Sequence, residues 1–231
     1  MGEIDEIKQR YARRDNQAMA SKNVSSDRFS VLASNERRII IRDTLQRHFR
    51  DRDFGELTAL DVGCGSGGTL VQLMELGFNP ENLVGIELTS TRAEAARKHL
   101  PTKLAIIEGD ATTADVPYSS FDVIQQSTVF TSILDDNIQQ RLAQRMWDLL
   151  KPGGVILWYD FVYNNPNNKD VRGVPLARIH SLFPTGSITT HRVTLAPPIG
   201  RRAARISSTL YALLNALPFL RSHVFVAITK S

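Results

Sequence analysis

The stretch LDVGCGSGG, Leu60 to Gly68, sets four glycines within six residues behind an apolar run that carries an aspartate. Glycine reaches positive φ without the penalty of a Cβ, so such a loop turns tightly from strand to helix and lets a ligand approach the backbone. Gly63, Gly65 and Gly68 satisfy G-x-G-x-x-G, and Gly63, Gly65 and Gly67 satisfy G-x-G-x-G. The first pattern expects a pyrophosphate at the helix N-terminus. Asp61, two residues before Gly63, would then put negative charge beside two phosphates. A ligand carrying cationic ammonium and sulfonium groups suits that aspartate better.

Around this loop the chain alternates. Strand-like runs LTALDV, NLVGIEL, KLAIIEG and FDVIQQS are interleaved with helical stretches at about Thr69–Leu76, Ser90–Leu100 and Asp136–Leu150. Lys151-Pro152-Gly153-Gly154 stops the long helix and leads into a fifth strand, VILWYDF. Such alternation predicts an α/β fold: a Rossmann-like doubly wound sheet of about seven strands, mostly parallel, with helices on both faces. Before it, a polar segment leads to a helix at about Asn35–Arg50. After it come the polar loop YNNPNNKDVRGVP, a short helix at Leu176–Phe183, a strand at Ser187–Leu195, a helix at Arg201–Leu217 and a final strand at Ser222–Thr229. That tail predicts an antiparallel last strand closing the sheet at its edge.

At 231 residues the chain suits one domain with a full core: an N-terminal helical cap at 1–55, a ligand-binding core at 56–161 and an acceptor-side tail at 162–231. Hydrophobic residues at 42% and charged residues at 23% exclude a disordered or fibrous class. No uncharged apolar run reaches the ~18 residues of a membrane span, and the charged start MGEIDEIKQRYARRD lacks a signal-peptide core. The expected compartment is the cytoplasm. The single cysteine, Cys64, forms no internal disulfide and reads as a packing residue. The net charge of +4 permits a nucleic acid, an anionic membrane surface or a phosphorylated partner, and equally solvated helix faces.

Further acids follow the loop at the strand ends. Glu87 ends the second strand about 20 residues on, where a carboxylate accepts bonds from both ribose hydroxyls of a nucleoside. Asp110, in Gly109-Asp110-Ala111 after the third strand, is placed to accept from an adenine amine, with the Ala111 backbone on the ring edge. The end of the fourth strand borders the crevice where a switch in strand order places a ligand.

These motifs, LDVGCGSG, VGIELT, EGDAT, FDVIQQSTVF and LLKPGGVILWYDF, resemble those of the class I S-adenosylmethionine-dependent methyltransferases over about Leu57–Phe161. The resemblance implies a seven-stranded sheet with the last strand inserted antiparallel, S-adenosyl-L-methionine as cofactor, and methyl transfer as the activity. It implies that Gly63, Gly65 and Gly67 lie against the methionine part and Asp61 near its amine. Glu87 would hold the ribose, Leu88 would pack on the adenine, and Asp110 with Ala111 would read its edge. Gln126, Ser127 and Phe130 would line the place where the methyl group meets the acceptor.

Two departures narrow the acceptor. No [DN]-P-P-[YFW] follows the fourth strand, which disfavours base amines of nucleic acid. No acidic cluster with metal-ligand spacing follows it either, since Asp135 and Asp136 suit a helix N-cap and first turn, so no metal is expected. An oxygen of a small-molecule or glycan acceptor is the expected target, with a nucleic acid or protein, or a catalytically silent cofactor-binding subunit, as alternatives. An alcohol acceptor benefits from a general base, and Asp160, His180 and His191 are the groups the sequence offers; His48, His99 and His223 read as structural. The segment YDFVYNNPNNKDVRGVP and the ending LPFLRSHVFVAITK are similar to methyltransferases of glycan and polysaccharide biosynthesis. Asn164, Asn165, Asn167, Asn168 and Asp170 are side chains of the kind that bind sugar hydroxyls. Tyr11, Arg13, Arg14 and Phe29 belong to a segment that would fold over the cofactor. The run RRAARISSTLYALLNALPFL either packs on its own sheet or rests on a membrane surface.

Overall fold

Every strand-like run of the sequence enters one sheet. The computed structural model describes residues 2–20, 28–166 and 168–231, with only the backbone for 14–20; Asn167 and the Arg14 side chain lie outside it. Strands β1 (Ala59–Val62), β2 (Leu83–Glu87), β3 (Ala105–Glu108), β4 (Phe121–Ser127), β5 (Leu150–Phe161), β6 (Ser187–Leu195) and β7 (Arg221–Thr229) stand in the order β3-β2-β1-β4-β5-β7-β6. The first five are parallel neighbours. β7 runs antiparallel to both β5 and β6. The last strand is therefore inserted one place in from the edge, as the family resemblance implied, and β6 rather than the last strand forms the edge, which corrects the expectation drawn from the tail.

The central parallel strands β1, β2 and β4 are buried on both faces, whereas β3 at the edge is partly exposed. Alternation along β5 divides the core: Ile156 and Trp158 pack on the side that holds Met146 of α5 (Asp136–Leu149) and Ile179 of α6 (Leu176–Leu182). Val155, Leu157 and Tyr159 pack on the side that holds Leu45 of α2 (Arg28–His48), Leu70 of α3 (Gly68–Glu75) and Ala96 of α4 (Ser90–His99).

Three local features differ from the sequence expectation. The polar N-terminal segment is a helix, α1 (Glu3–Ala20), whose Ile4, Ile7 and Tyr11 recur at helical spacing and face inward. The chain from Leu150 onward is already strand, because Leu150 pairs with Phe121 before the main ladder begins at Val123 and Val155. The helix expected over Arg201–Leu217 is two, α7 (Pro197–Ile206) and α8 (Ser208–Asn215). Ser207 separates them: its backbone is extended, and its hydroxyl caps α8 by accepting from the Leu210 N–H at 2.9 Å.

At the amino edge of the sheet Asp122 fastens three segments, accepting from Thr58, Arg52 at 2.6 Å and Lys151 at 2.8 Å. Burial alone would raise its carboxyl; these donors outweigh burial and hold it well below the usual carboxylate range. The carboxyl edge is left for the site. Among the described residues no helix is long and apolar enough to cross a membrane.

Candidate functional site

The strand order reverses between β1 and β4, and a parallel sheet opens a crevice at such a point. A cavity of about 1070 Å³ lies there. It is lined by the strand ends at Val62, Glu87, Gly109 and Ser127, by α1, and by the loop after β5.

The glycine loop is folded by its own backbone. The Gly63 and Cys64 N–H groups donate to the Ile86 carbonyl at 2.8 and 3.1 Å, drawing the loop toward β2. Gly63 sits at φ +68°, and a Cβ there would fall 2.6 Å from Val129 Cγ2. Cys64 is packed within the loop; burial, then the charges of Asp61 and Glu87, push its thiol up, so it is no nucleophile.

Glu87 fastens this loop to β2. One carboxylate oxygen accepts from the Gly65 N–H at 2.9 Å, and the other accepts from the Thr89 N–H and hydroxyl, both at 2.9 Å. Three of about four acceptor positions are thus used, which leaves the buried, cavity-lining carboxylate able to take one further donor.

Asp61 lies behind the loop, 2% exposed and, like Gly65 and Gly67, off the cavity surface, with no hydrogen-bond partner for Oδ2 among the described residues. Burial pushes its carboxyl up to about 8, with Arg37 opposing and Glu87 reinforcing the shift. A buried carboxylate oxygen without a donor calls for a cation or an N–H from a ligand. Asp110 is self-contained: its oxygens accept from the Thr112 N–H and hydroxyl, each at 2.8 Å. It lines the cavity beside Leu88, Ala111 and Thr112.

The segment after β4 forms the opposite wall. Ser127 lines the cavity and its hydroxyl accepts from Arg37 at 3.0 Å. Thr128 holds φ +59°, costly for a β-branched side chain. Its N–H donates to the Tyr159 carbonyl at 2.8 Å, which anchors the strained turn. Asp160 sits beneath this wall, fully buried and off the cavity surface. It accepts from the Thr131 hydroxyl at 2.6 Å and from Gln126 Nε2 at 3.2 Å, and burial pushes its carboxyl up to about 7. Asp160 and Gln126 therefore shape the wall, and Thr131 is the member of the trio that reaches the cavity.

The other sequence-derived groups are dispersed. His180 is exposed on α6 and His191 is half-buried on the edge strand β6, neither on the cavity. Phe130 points into the core, 4.2 Å from the Trp158 ring centre. Phe29 packs on Tyr211 and under α7. Tyr11 does line the cavity, with Arg92 stacked 4.3 Å from its ring centre.

His223, read from sequence as structural, lines the cavity. Register explains it: His223 pairs with Phe161 at the carboxyl end of β5, so the start of the antiparallel strand meets the ends of the parallel ones. It stacks on Tyr159 at 5.1 Å and shares a 3.0 Å hydrogen bond between Nδ1 and the Ser222 hydroxyl. Burial and Arg37 lower its pKa to about 4, so the imidazole is neutral. No sequence signal marks it, because the pairing of β7 with β5 is non-local.

Residues 59–154 match the family model of a methyltransferase domain. The sterol 24-C-methyltransferase of Pneumocystis carinii is 32% identical over 115 residues, covering 47% of this chain and 29% of that protein. The ubiquinone biosynthesis O-methyltransferase of Chelativorans sp. is 31% identical over 124 residues, covering 50% of this chain and 47% of that one. The chain thus spans less than half the length of these relatives. Among solved structures, a methyltransferase from Methanosarcina mazei superposes with a TM-score of 0.57 at 16% identity, covering 81% of this chain and 97% of that one. The Haemonchus contortus phosphoethanolamine N-methyltransferase 2, solved with S-adenosyl-L-methionine, gives 0.57 at 18% identity, covering 83% and 53%.

Proposed function

We propose, from the match of residues 59–154 to a methyltransferase-domain model, that the chain is a class I S-adenosylmethionine-dependent methyltransferase that transfers a methyl group to an oxygen of a small-molecule acceptor in the cytoplasm. The observation that carries this is the donorless Oδ2 of buried Asp61 behind a glycine loop at the switch point. The cofactor's ammonium is the kind of cation that oxygen requires. Glu87, with one acceptor position left, suits a ribose hydroxyl; Gly63, Gly65 and Gly67 admit the methionine part; Leu88, Asp110 and Ala111 suit the adenine. When bound, the cofactor supplies an electrophilic methyl group on sulfonium, displaced in line by the acceptor oxygen.

The chain's own residues orient the acceptor and exclude water. The cavity wall is largely apolar, with Ile133, Ile138 and Leu142 deep and Tyr163, Asn164 and Asn168 at the polar loop. This supports an acceptor with an apolar body and a hydroxyl-bearing head, a glycan head included. His223 is the group we assign to the acceptor hydroxyl. With the proton on Nδ1 and donated to Ser222, its neutral imidazole leaves Nε2 as a hydrogen-bond acceptor. Asp160 positions Thr131 and the wall, and His180 and His191 take no part.

Two results test this reading. Binding of S-adenosylmethionine needs Asp61 ionised, so its affinity should rise with pH up to about 8, approaching tenfold per unit. The sign follows from a carboxyl raised in the folded ligand-free state: it holds its proton between about 4 and 8 and releases it on binding. Calorimetry in buffers of different ionisation enthalpy reads that proton, and Asp61→Asn should abolish the dependence. Turnover to S-adenosylhomocysteine with hydroxyl acceptors then tests the chemistry. His223→Ala should lower kcat at least about tenfold with cofactor affinity unchanged. No binding at any pH sinks the cofactor assignment, and an unchanged kcat removes His223.

A further inference from the structure

The charge of this chain is divided along its length. All 24 aspartates and glutamates lie at or before Asp170, with 20 of the 28 arginines and lysines. The first 170 residues are therefore net −4, and the remaining 61, with eight basic residues and no acid, are +8. Exposed apolar side chains collect in the same part. Of ten large hydrophobic side chains standing exposed among the described residues, five lie between Ile199 and Phe219. Ile206 is 72%, Leu213 65% and Phe219 75% exposed, values a packed amphipathic helix does not need.

Local geometry sets charge and hydrophobicity together. Gly200, Ala203 and Ala204 form the buried side of α7, where Gly200 admits the Phe29 ring. That leaves Ile199, Arg202 and Ile206, at i, i+3 and i+7, on one outward stripe. Arg202 and Arg205 are exposed and have no ion-pair partner among the described residues. The same helix begins at the cavity, which Pro197, Pro198 and Arg201 line. One element therefore offers an apolar and cationic outer face at the lip of an apolar cavity.

We propose that the segment from α7 through the 3-10 turn Pro218–Leu220, by way of Ile206, Leu213, Phe219, Arg202 and Arg205, docks on an anionic lipid bilayer and presents the cavity to an acceptor held in that bilayer. Anionic headgroups complement a tail free of acids, and aliphatic and phenyl side chains enter the headgroup–acyl boundary. A nucleic acid would use the arginines but gives Ile206 and Leu213 nothing to bury against. Delivery of the acceptor rests on the methyl-transfer reading above. Docking does not, so it is tested without cofactor or turnover.

The experiment is co-sedimentation of the full chain with phosphatidylcholine vesicles and with vesicles containing 30% phosphatidylglycerol, at low and high salt, beside a duplex DNA titration. The expected result is binding to the anionic vesicles at least tenfold tighter than to the neutral ones, weakened by salt. The pair Ile206→Asp with Phe219→Asp, and separately Arg202→Glu with Arg205→Glu, should each lower it at least tenfold, about fivefold or more per arginine. None of the four lines the cavity, so the melting temperature should be unchanged, which shows the variants folded. Equal binding to both vesicle types, or retention by the Ile206/Phe219 pair, overturns the proposal. Duplex DNA binding tighter than vesicle binding and lost only with the arginines overturns it in favour of nucleic acid.

Discussion

Replacing Glu87 with alanine is expected to lower S-adenosylmethionine affinity more than tenfold, read by calorimetry. The carboxylate holds the Gly65 N–H, the Thr89 N–H and the Thr89 hydroxyl at 2.9 Å each, so truncation strips three donors of their acceptor at a buried point. Each group left unsatisfied costs about 1–3 kcal/mol. The glycine loop then loses its tie to β2, and a ribose placed as proposed loses its acceptor. Glu87→Gln separates these contributions: it keeps the volume and one carbonyl oxygen but turns an N–H₂ toward groups that donate. It should fall between the native chain and the alanine variant in melting temperature and affinity. Affinity retained within threefold in Glu87→Ala would remove Glu87 from the cofactor site.

Gly63→Ala should lower stability by on the order of 3 kcal/mol and abolish measurable cofactor binding. Two effects add. A left-handed conformation costs an alanine roughly 1 kcal/mol, and overpacking costs about 1–3 kcal/mol because the new Cβ falls 2.6 Å from Val129 Cγ2. Relief by moving Val129 would disturb the strained Thr128 turn that walls the cavity. Gly65→Ala is the internal control. Its φ is +56°, yet a Cβ there meets nothing within 4 Å, so it should show the conformational penalty alone. Denaturant unfolding of the two variants reads the difference; equal losses would mean that the contact with Val129 relaxes freely.

The sequence carried the parallel half of the fold clearly, because the relevant physics is local. A strand buried on both faces is mostly apolar, as LVGIE of β2 is, and a tight turn with repeated positive φ favours glycine, as at Gly63, Gly65 and Gly67. The acids at the strand ends were legible for the same reason: Asp61, Glu87 and Asp110 sit at fixed offsets from those turns. α1 was legible in principle from Ile4, Ile7 and Tyr11, but these three inward residues are scattered among many charged ones, which hid the helical face. The break at Ser207 was hidden because serine is tolerated within helices and caps them equally well.

Side-chain roles beyond the loop were decided only by tertiary structure. Asp61, Asp122 and Asp160 are one residue type with three fates. Asp122, among Lys151, Thr58 and Arg52, stays ionised; Asp160, spanned by Thr131 and Gln126, is raised to about 7; Asp61, with one oxygen unpartnered, is raised to about 8. The glycines after Asp61 mark its place at a turn, but nothing within a few residues of each sets its protonation, because the deciding donors come from segments distant in sequence. His223 shows the same dependence, since only the insertion of β7 against β5 brings it to the cavity. The sequence by itself determined the glycine-loop side of the cavity, where backbone turns dictate residue type at short range. The opposite side of the cavity was left to the tertiary structure, because it is assembled from α1, the segment after β4 and the inserted last strand, whose meeting no local pattern encodes.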